Sequence, residues 1–241
     1  MNRIKILNVD IDDFTKKELI NELTESIKYD QRKFLVTANP EIVMMANKDL
    51  TFAKAVREAD YVVADGIGLI IGSKILGHPL KERIPGVELM QELLDLASRN
   101  HFSVYLYGAK PEVLKKLHTV IKDSYPGVSI AGYSDGYTSS PEEVAKQIEA
   151  TTPDLVFVAL GAPKQEKWID HHYPNFSKGV FVGVGGSFDV LSGTVKRAPK
   201  IWRTLNLEWL YRIIKQPSRW KRALLLPAYL AAIVRIRLRQ K

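Results

Sequence analysis

Two hydrophobic rhythms alternate along the chain. Short apolar runs rich in β-branched and aromatic residues fall at 4–9, 34–36, 61–64, 103–107, 128–133, 154–160 and 179–184. Each reads as a strand, with 4–9 at an edge. Between them, apolar residues recur three and four apart, as with Phe14, Leu19, Ile20, Leu23 and Ile27. That spacing predicts helices over 13–29, 40–46, 50–58, 67–76, 85–98, 111–123 and 141–150. Asp10-Ile11-Asp12 reads as a turn and a helix cap. Strands alternating with helices predict an α/β, Rossmann-like fold, with a mainly parallel open sheet and helices on both faces. No internal repeat interrupts the pattern.

Right-handed crossovers gather the carboxyl ends of such strands on one edge, where ligands bind. The predicted strand ends carry Thr37 and Asn39, Asp65 and Gly66, Gly108, Asp135 and Gly136, Gly161 and Gln165, and Gly185 to Ser187. Asp65 closes the run YVVA with glycines at 66 and 68. It either projects into a crevice or caps the following helix. GVGGSFD at 183–189 is either a structural turn or a backbone N–H cradle for a diphosphate. It is not a G-x-G-x-x-G fingerprint, because residue 188 is Phe, and there is no Walker A motif. Arg83, in a Pro- and Gly-flanked loop, either reaches a phosphate or is solvated surface. Gln165, in the first turn after Pro163, binds a hydroxyl or faces water. The five histidines show no ligand spacing, so no metal site is expected. The absence of G-x-S-x-G leaves serine hydrolase chemistry unsupported.

Charge changes the picture at the C-terminus. The net charge is +8, but residues 196–241 carry 13 Lys+Arg against Glu208 alone, a net of +12, which leaves −4 for residues 1–195. The basic character thus belongs to an appendage on a mildly acidic α/β domain. A helix is predicted over 200–216, with Trp202, Leu205, Trp209 and Ile213 on one face and Pro217 ending it. A second segment, 219–238, contains the uncharged run ALLLPAYLAAIV at 223–234, weakened as a helix by Pro227. That run is shorter than the roughly 20 residues a span requires. With arginines on both sides and Trp202, Trp209 and Trp220 nearby, it reads as a segment lying on an anionic membrane surface. A helical cap on the core and an oligomer interface are the other readings. Nucleic acid is not expected, because the apolar run has no use there. Apolar tail surface must be covered in water, so self-association off the membrane is expected. Arg212, Arg219 and Arg222 lie where they can close over a diphosphate. The chain has no cysteine and no secretory h-region near its start, which fits a protein in a reducing cytosol.

Several stretches together resemble the TagA/TarA/WecG family of glycosyltransferases (glycosyltransferase family 26), closest to its Gram-positive wall teichoic acid branch. They are TANPEIVMMA (37–46), ADGIGL (64–69), RIPGVEL (83–89), YGAKPEV (107–113), GAPKQEKW (161–168), GVGGSFDVLSG (183–193) and RAPKIWRTLNLEWLYRI (197–213). The resemblance implies transfer of N-acetylmannosamine from its UDP conjugate to the C4 hydroxyl of N-acetylglucosamine on undecaprenyl diphosphate. It implies inversion to a β-1,4 linkage, no cofactor and no metal, at the cytoplasmic face of the membrane. Asp65 matches the family's proposed base, and Thr37, Asn39 and Gln165 match its pocket residues. Gly185, Gly186 and Ser187, with Arg83 or the tail arginines, are then expected to meet the departing diphosphate. Gly108, Asp135, Tyr137 and Asp189 are the candidates for the nucleoside.

Overall fold

The computed structural model describes residues 2–215 and 225–239, apart from the side chains of Arg203 and Arg212. Six parallel strands form the central sheet: β3 (Arg32–Ala38), β4 (Tyr61–Ala64), β5 (Ser103–Gly108), β6 (Ser129–Ser134), β7 (Leu155–Ala159) and β8 (Gly179–Gly183). Their order is β4-β3-β8-β7-β5-β6. Strands β4, β7 and β8 are buried on both faces, which is why they read as short continuous apolar runs, whereas edge strand β6 is mostly half-buried or exposed. Side chains still alternate: Phe34, Val36 and Ala38 join one core, and Leu35 the other.

The first core is covered by α2 (Pro40–Ala46), α3 (Leu50–Glu58), α4 (Ile67–Leu76), α7 (Pro141–Thr151) and α8 (Lys164–His172). The second is covered by α1 (Lys16–Lys28), α5 (Gly86–Asn100), α6 (Pro111–Ser124) and α9 (Ser187–Leu191). Connections that step one way along the sheet (β3 to β4, β6 to β7, β7 to β8) cross the first face. Those that step the other way (β4 to β5, β5 to β6) cross the second, as right-handed crossovers require. After β3 the chain leaves over the first face, and after β8, its neighbour, over the second. The carboxyl ends of β3 and β8 therefore diverge and open a crevice.

The N-terminus departs from expectation. The single strand predicted over 4–9 is a hairpin of β1 (Arg3–Ile6) and β2 (Val9–Asp12), with Ile6 opposite Val9. Its two-residue loop holds Leu7 at φ 54°. That conformation favours Gly or Asn, and the one turn residue of the loop, Asn8, stands at its second position instead. Asp12, expected in a turn, is 2% exposed. Its carboxylate accepts hydrogen bonds from Arg3 Nε (2.7 Å) and the Val62 N–H (2.8 Å), which pins the hairpin to edge strand β4.

The tail also differs. Within the helix expected over 200–216, the described residues 200–215 form two helices, α10 (Lys200–Thr204) and α11 (Glu208–Lys215), parted at Asn206 with φ 58°. The last helix, α12 (Leu225–Arg239), packs on α4 and α2. Pro227 lies within its first described turn. Tyr229 and Ile233 are fully buried in the first core. Together they are worth on the order of 4 kcal/mol of apolar burial. Gly68 and Gly72 of α4 permit this approach, for a Cβ at Gly72 would lie 2.1 Å from Tyr229 Oη. Among the described residues no helix is long and apolar enough to cross a membrane.

Candidate active site

The strand ends on the β4 side converge. Asp65 follows β4, and its N–H donates to Ala38 O (2.7 Å). The N-cap of α4 is Gly66, one residue beyond the acid. Gly66 is required by close approach, since a Cβ there would lie 2.8 Å from Pro40 Cδ and 3.1 Å from Asn39 Cβ. Asn39 caps α2, its side-chain oxygen accepting from Ile42 N (3.0 Å). That uses one acceptor site of the amide and leaves its Nδ2 donors for a ligand. The 78–86 loop folds back so that Ile84 N donates to Ala64 O (2.7 Å), which sets half-buried Arg83 beside the end of β4. The start of α5, with no side-chain cap, abuts Thr37: a Cβ at Gly86 would lie 3.3 Å from Thr37 Oγ1. Thr37 is buried and donates to Gly183 O (3.0 Å), tying β3 to β8 across the crevice.

The centre of the edge is built from glycine turns. Gly161 (φ 76°) follows β7, and Gly185 (φ 50°) follows β8. A Cβ on Gly161, Gly185 or Gly186 would meet nothing within 4 Å, so all three face open space. Gln165 joins the two turns from below, because its Oε1 accepts from both Gly161 N (3.1 Å) and Gly185 N (3.0 Å). At 4% exposure it neither faces water nor offers that oxygen to a sugar. Ser187 is also turned inward, both its N–H and its Oγ donating to Val184 O. Of the expected diphosphate cradle, Gly185 and Gly186 are the residues that look outward. Asp189 sits half-buried in the first turn of α9.

The β5 and β6 ends lie apart. Gly108 (φ 116°) is packed, with a virtual Cβ only 2.5 Å from the Ala159 carbonyl carbon, so it answers to strand packing rather than an open platform. Asp135 organises its own loop, accepting from Tyr137 N (2.8 Å), Thr138 N (2.7 Å) and the Thr138 and Ser139 hydroxyls. Burial works against its charge, but these hydrogen bonds hold its carboxyl below the ordinary range. Tyr137 is 72% exposed on the same loop. Five strand spacings separate β4 from β6, about 24 Å at ~4.8 Å each. Asp65 and Asp135 cannot touch one sugar, although an extended nucleotide conjugate can lie along the edge between them.

Two residues not singled out from the sequence belong here. Glu166, 1% exposed, accepts from Gln165 Nε2 at Oε1 (2.8 Å) and leaves Oε2 buried without a hydrogen-bond partner. Burial pushes its carboxyl up to about 7, with the charge of Glu41 adding to the effect. The signal was present in the spacing of Trp168, Ile169 and His172, which puts 165 and 166 on the buried face of α8. Arg197 pairs with Glu88 in the first turn of α5, bringing a cation of the tail segment to the site's margin. Arg219 and Arg222 lie outside the described residues, as does the side chain of Arg212. Among the described residues no group of three His, Cys, Asp or Glu is placed to hold a metal ion.

Comparison with known proteins agrees with the fold. The family model described as "Glycosyl transferase WecG/TagA/CpsF family" matches residues 4–241. A Bacillus spizizenii protein is 44% identical over 227 residues, covering 92% of this chain and 88% of the relative. A Bacillus subtilis protein is 45% identical over 83% of this chain and 78% of its own. A Staphylococcus aureus protein is 40% identical over 91% of this chain and 86% of its own. All three bear the name N-acetylglucosaminyldiphosphoundecaprenol N-acetyl-β-D-mannosaminyltransferase.

Proposed function

Because the chain belongs to the WecG/TagA/CpsF family of glycosyl transferases, we propose that it carries out the reaction its relatives are named for. It moves N-acetylmannosamine from UDP-N-acetylmannosamine to the C4 hydroxyl of N-acetylglucosamine on undecaprenyl diphosphate. The product is the β-1,4 disaccharide that begins the linkage unit of wall teichoic acid. The observation that carries this reading is one crevice holding Asp65 at the end of β4, the Arg83 loop beside it, and outward-facing Gly185 and Gly186 two strands away.

In the proposed step Asp65 takes the proton of the acceptor C4 hydroxyl. The oxygen attacks C1 of the donor sugar from the face opposite the diphosphate. The bond from C1 to the diphosphate oxygen breaks, and UDP leaves with the electron pair, so the anomeric centre inverts. The negative charge that develops is met by the backbone N–H of Gly186, by Arg83, and by tail arginines 212, 219 and 222, without a metal; the Gly185 N–H is already donated to Gln165. Tyr137, Asp135, Asp189 and Gly108 lie on the nucleoside side.

Residues 1–195 act as the catalytic domain, and residues 196–241 bring it to the lipid and complete the site. Support comes from α12, whose outer face exposes Pro227, Ala231, Val234 and Leu238 beside Arg235 and Arg239. Such a face suits an anionic headgroup boundary at the cytoplasmic leaflet, with self-association as its cover in water.

The test is product analysis. With UDP-N-acetylmannosamine and a short-chain polyprenyl-diphosphate N-acetylglucosamine, mass spectrometry should find the lipid-linked disaccharide and NMR its β-anomeric signal. Transfer from UDP-glucose or a UDP-uronate instead would reassign the donor. No transfer from any UDP-sugar would contradict the reading.

A further inference from the structure

The buried polar groups that the proposed step leaves unused lie directly beneath the glycine turns. An amide side chain has two orientations, and only one serves here. Gln165 must aim Oε1 at the N–H groups of Gly161 and Gly185, because the flipped amide would set donors against donors. What holds the orientation is Glu166, whose Oε1 accepts the Gln165 Nε2 hydrogen bond at 2.8 Å. Glu166 occupies this position at a cost to stability, since its Oε2 is buried without a partner. An apolar side chain would fold there more easily. A carboxyl kept against that cost, under turns that face open space, points to use rather than packing.

We propose that Glu166 is a positioning residue for the nucleotide donor. It fixes the amide of Gln165, and Gln165 holds the Gly161 and Gly185 turns so that the Gly186 N–H, next along the second turn, meets the donor diphosphate. The inference rests on the nucleotide-sugar reading of the site and names a residue that acts on the donor only through another.

The experiment compares the full chain with Glu166→Leu, Glu166→Gln, Gln165→Leu and the double variant Gln165→Leu/Glu166→Leu. Three quantities are read: UDP affinity by titration calorimetry, thermal midpoint, and amide hydrogen exchange over 158–166 and 183–189 in the free protein. Glu166→Leu should fold with a midpoint no lower than native. Its UDP affinity should fall about tenfold through lost preorganisation, and exchange at both turns should accelerate. Glu166→Gln, which retains an acceptor for Gln165, should bring affinity back to within about threefold and restore protection. In the double variant the loss should equal that of Gln165→Leu alone, because Glu166 has no second route to the ligand.

Native affinity and native exchange in Glu166→Leu would overturn the proposal while leaving the transferase reading intact. Losses that add in the double variant would also overturn it, as would a fall in midpoint that tracks the affinity loss in every variant. A native chain that binds no UDP would overturn the underlying reading and this inference with it, while exchange would still report whether Glu166 holds the turns.

Discussion

Replacing Glu166 by Gln should reveal how much stability the buried acid costs. In the folded chain its carboxyl is pushed from an ordinary 4.5 up to about 7, chiefly by burial. An acid whose folded value exceeds its unfolded value binds more protons when folded. Stability therefore falls as pH rises between the two values, and the whole penalty is present above the higher one. The difference corresponds to on the order of 3 kcal/mol at 1.36 kcal/mol per pH unit. The isosteric amide carries no such dependence and keeps an acceptor for Gln165. Urea unfolding near pH 5 and near pH 8 measures the effect. The variant should match the native chain at the acidic end and exceed it by up to about 3 kcal/mol at the alkaline end. Equal dependence on pH in both proteins, or a variant less stable than native near pH 8, would refute the assignment of a desolvated acid at this position.

Three further outcomes follow from the geometry. Gly72→Ala would place a Cβ 2.1 Å from the fully buried Tyr229 Oη. Overpacking of about 1–3 kcal/mol outweighs the ~1 kcal/mol gain in helix propensity. Chemical denaturation should show a net loss, with α12 more open to limited proteolysis, whereas a gain in stability would contradict the docked tail. Arg83→Ala should lower kcat by roughly 100-fold if the side chain stabilises the departing diphosphate; a change within threefold would remove it from that role. Steady-state rates should be unchanged by excess EDTA, and a loss restored by Mg²⁺ or Mn²⁺ would contradict the metal-independent step.

Much of this architecture is legible in the sequence where punctuation is strong. The structure begins and ends β4, α3 and α4 at the predicted residues 61–64, 50–58 and 67–76, each bounded by Asp, Gly or a cap. The sequence is silent where a residue takes a conformation its type does not favour. Leu7 at φ 54° breaks an element that periodicity continues, whereas Asn206 at φ 58° is a residue type that tolerates this conformation and marks a break that periodicity alone passes over. It is silent too where a polar residue is buried by distant partners, as Asp12 is by Arg3 and Val62. Asp65 and Thr37 could be singled out because strand ends on one edge must face one crevice, and Arg83 because it stands in a Pro- and Gly-flanked loop. Spacing marks Glu166 only as a buried position of α8; its contact with Gln165, and through Gln165 with the glycine turns, forms only in the folded sheet. The charge and apolar run of the tail suggest a surface segment. The fold commits one face of α12 to α2 and α4 and leaves the opposite face exposed.

The most direct test of the central claim is acceptor-dependent UDP release, with UDP-N-acetylmannosamine and a lipid-diphosphate N-acetylglucosamine, in the native chain and in Asp65→Asn. The account predicts release by the native chain only when acceptor is present. It predicts a loss of at least about 100-fold in the variant, with UDP affinity retained, because the base is gone and the cradle is not. Equal acceptor-dependent release from both proteins would remove Asp65 as the base.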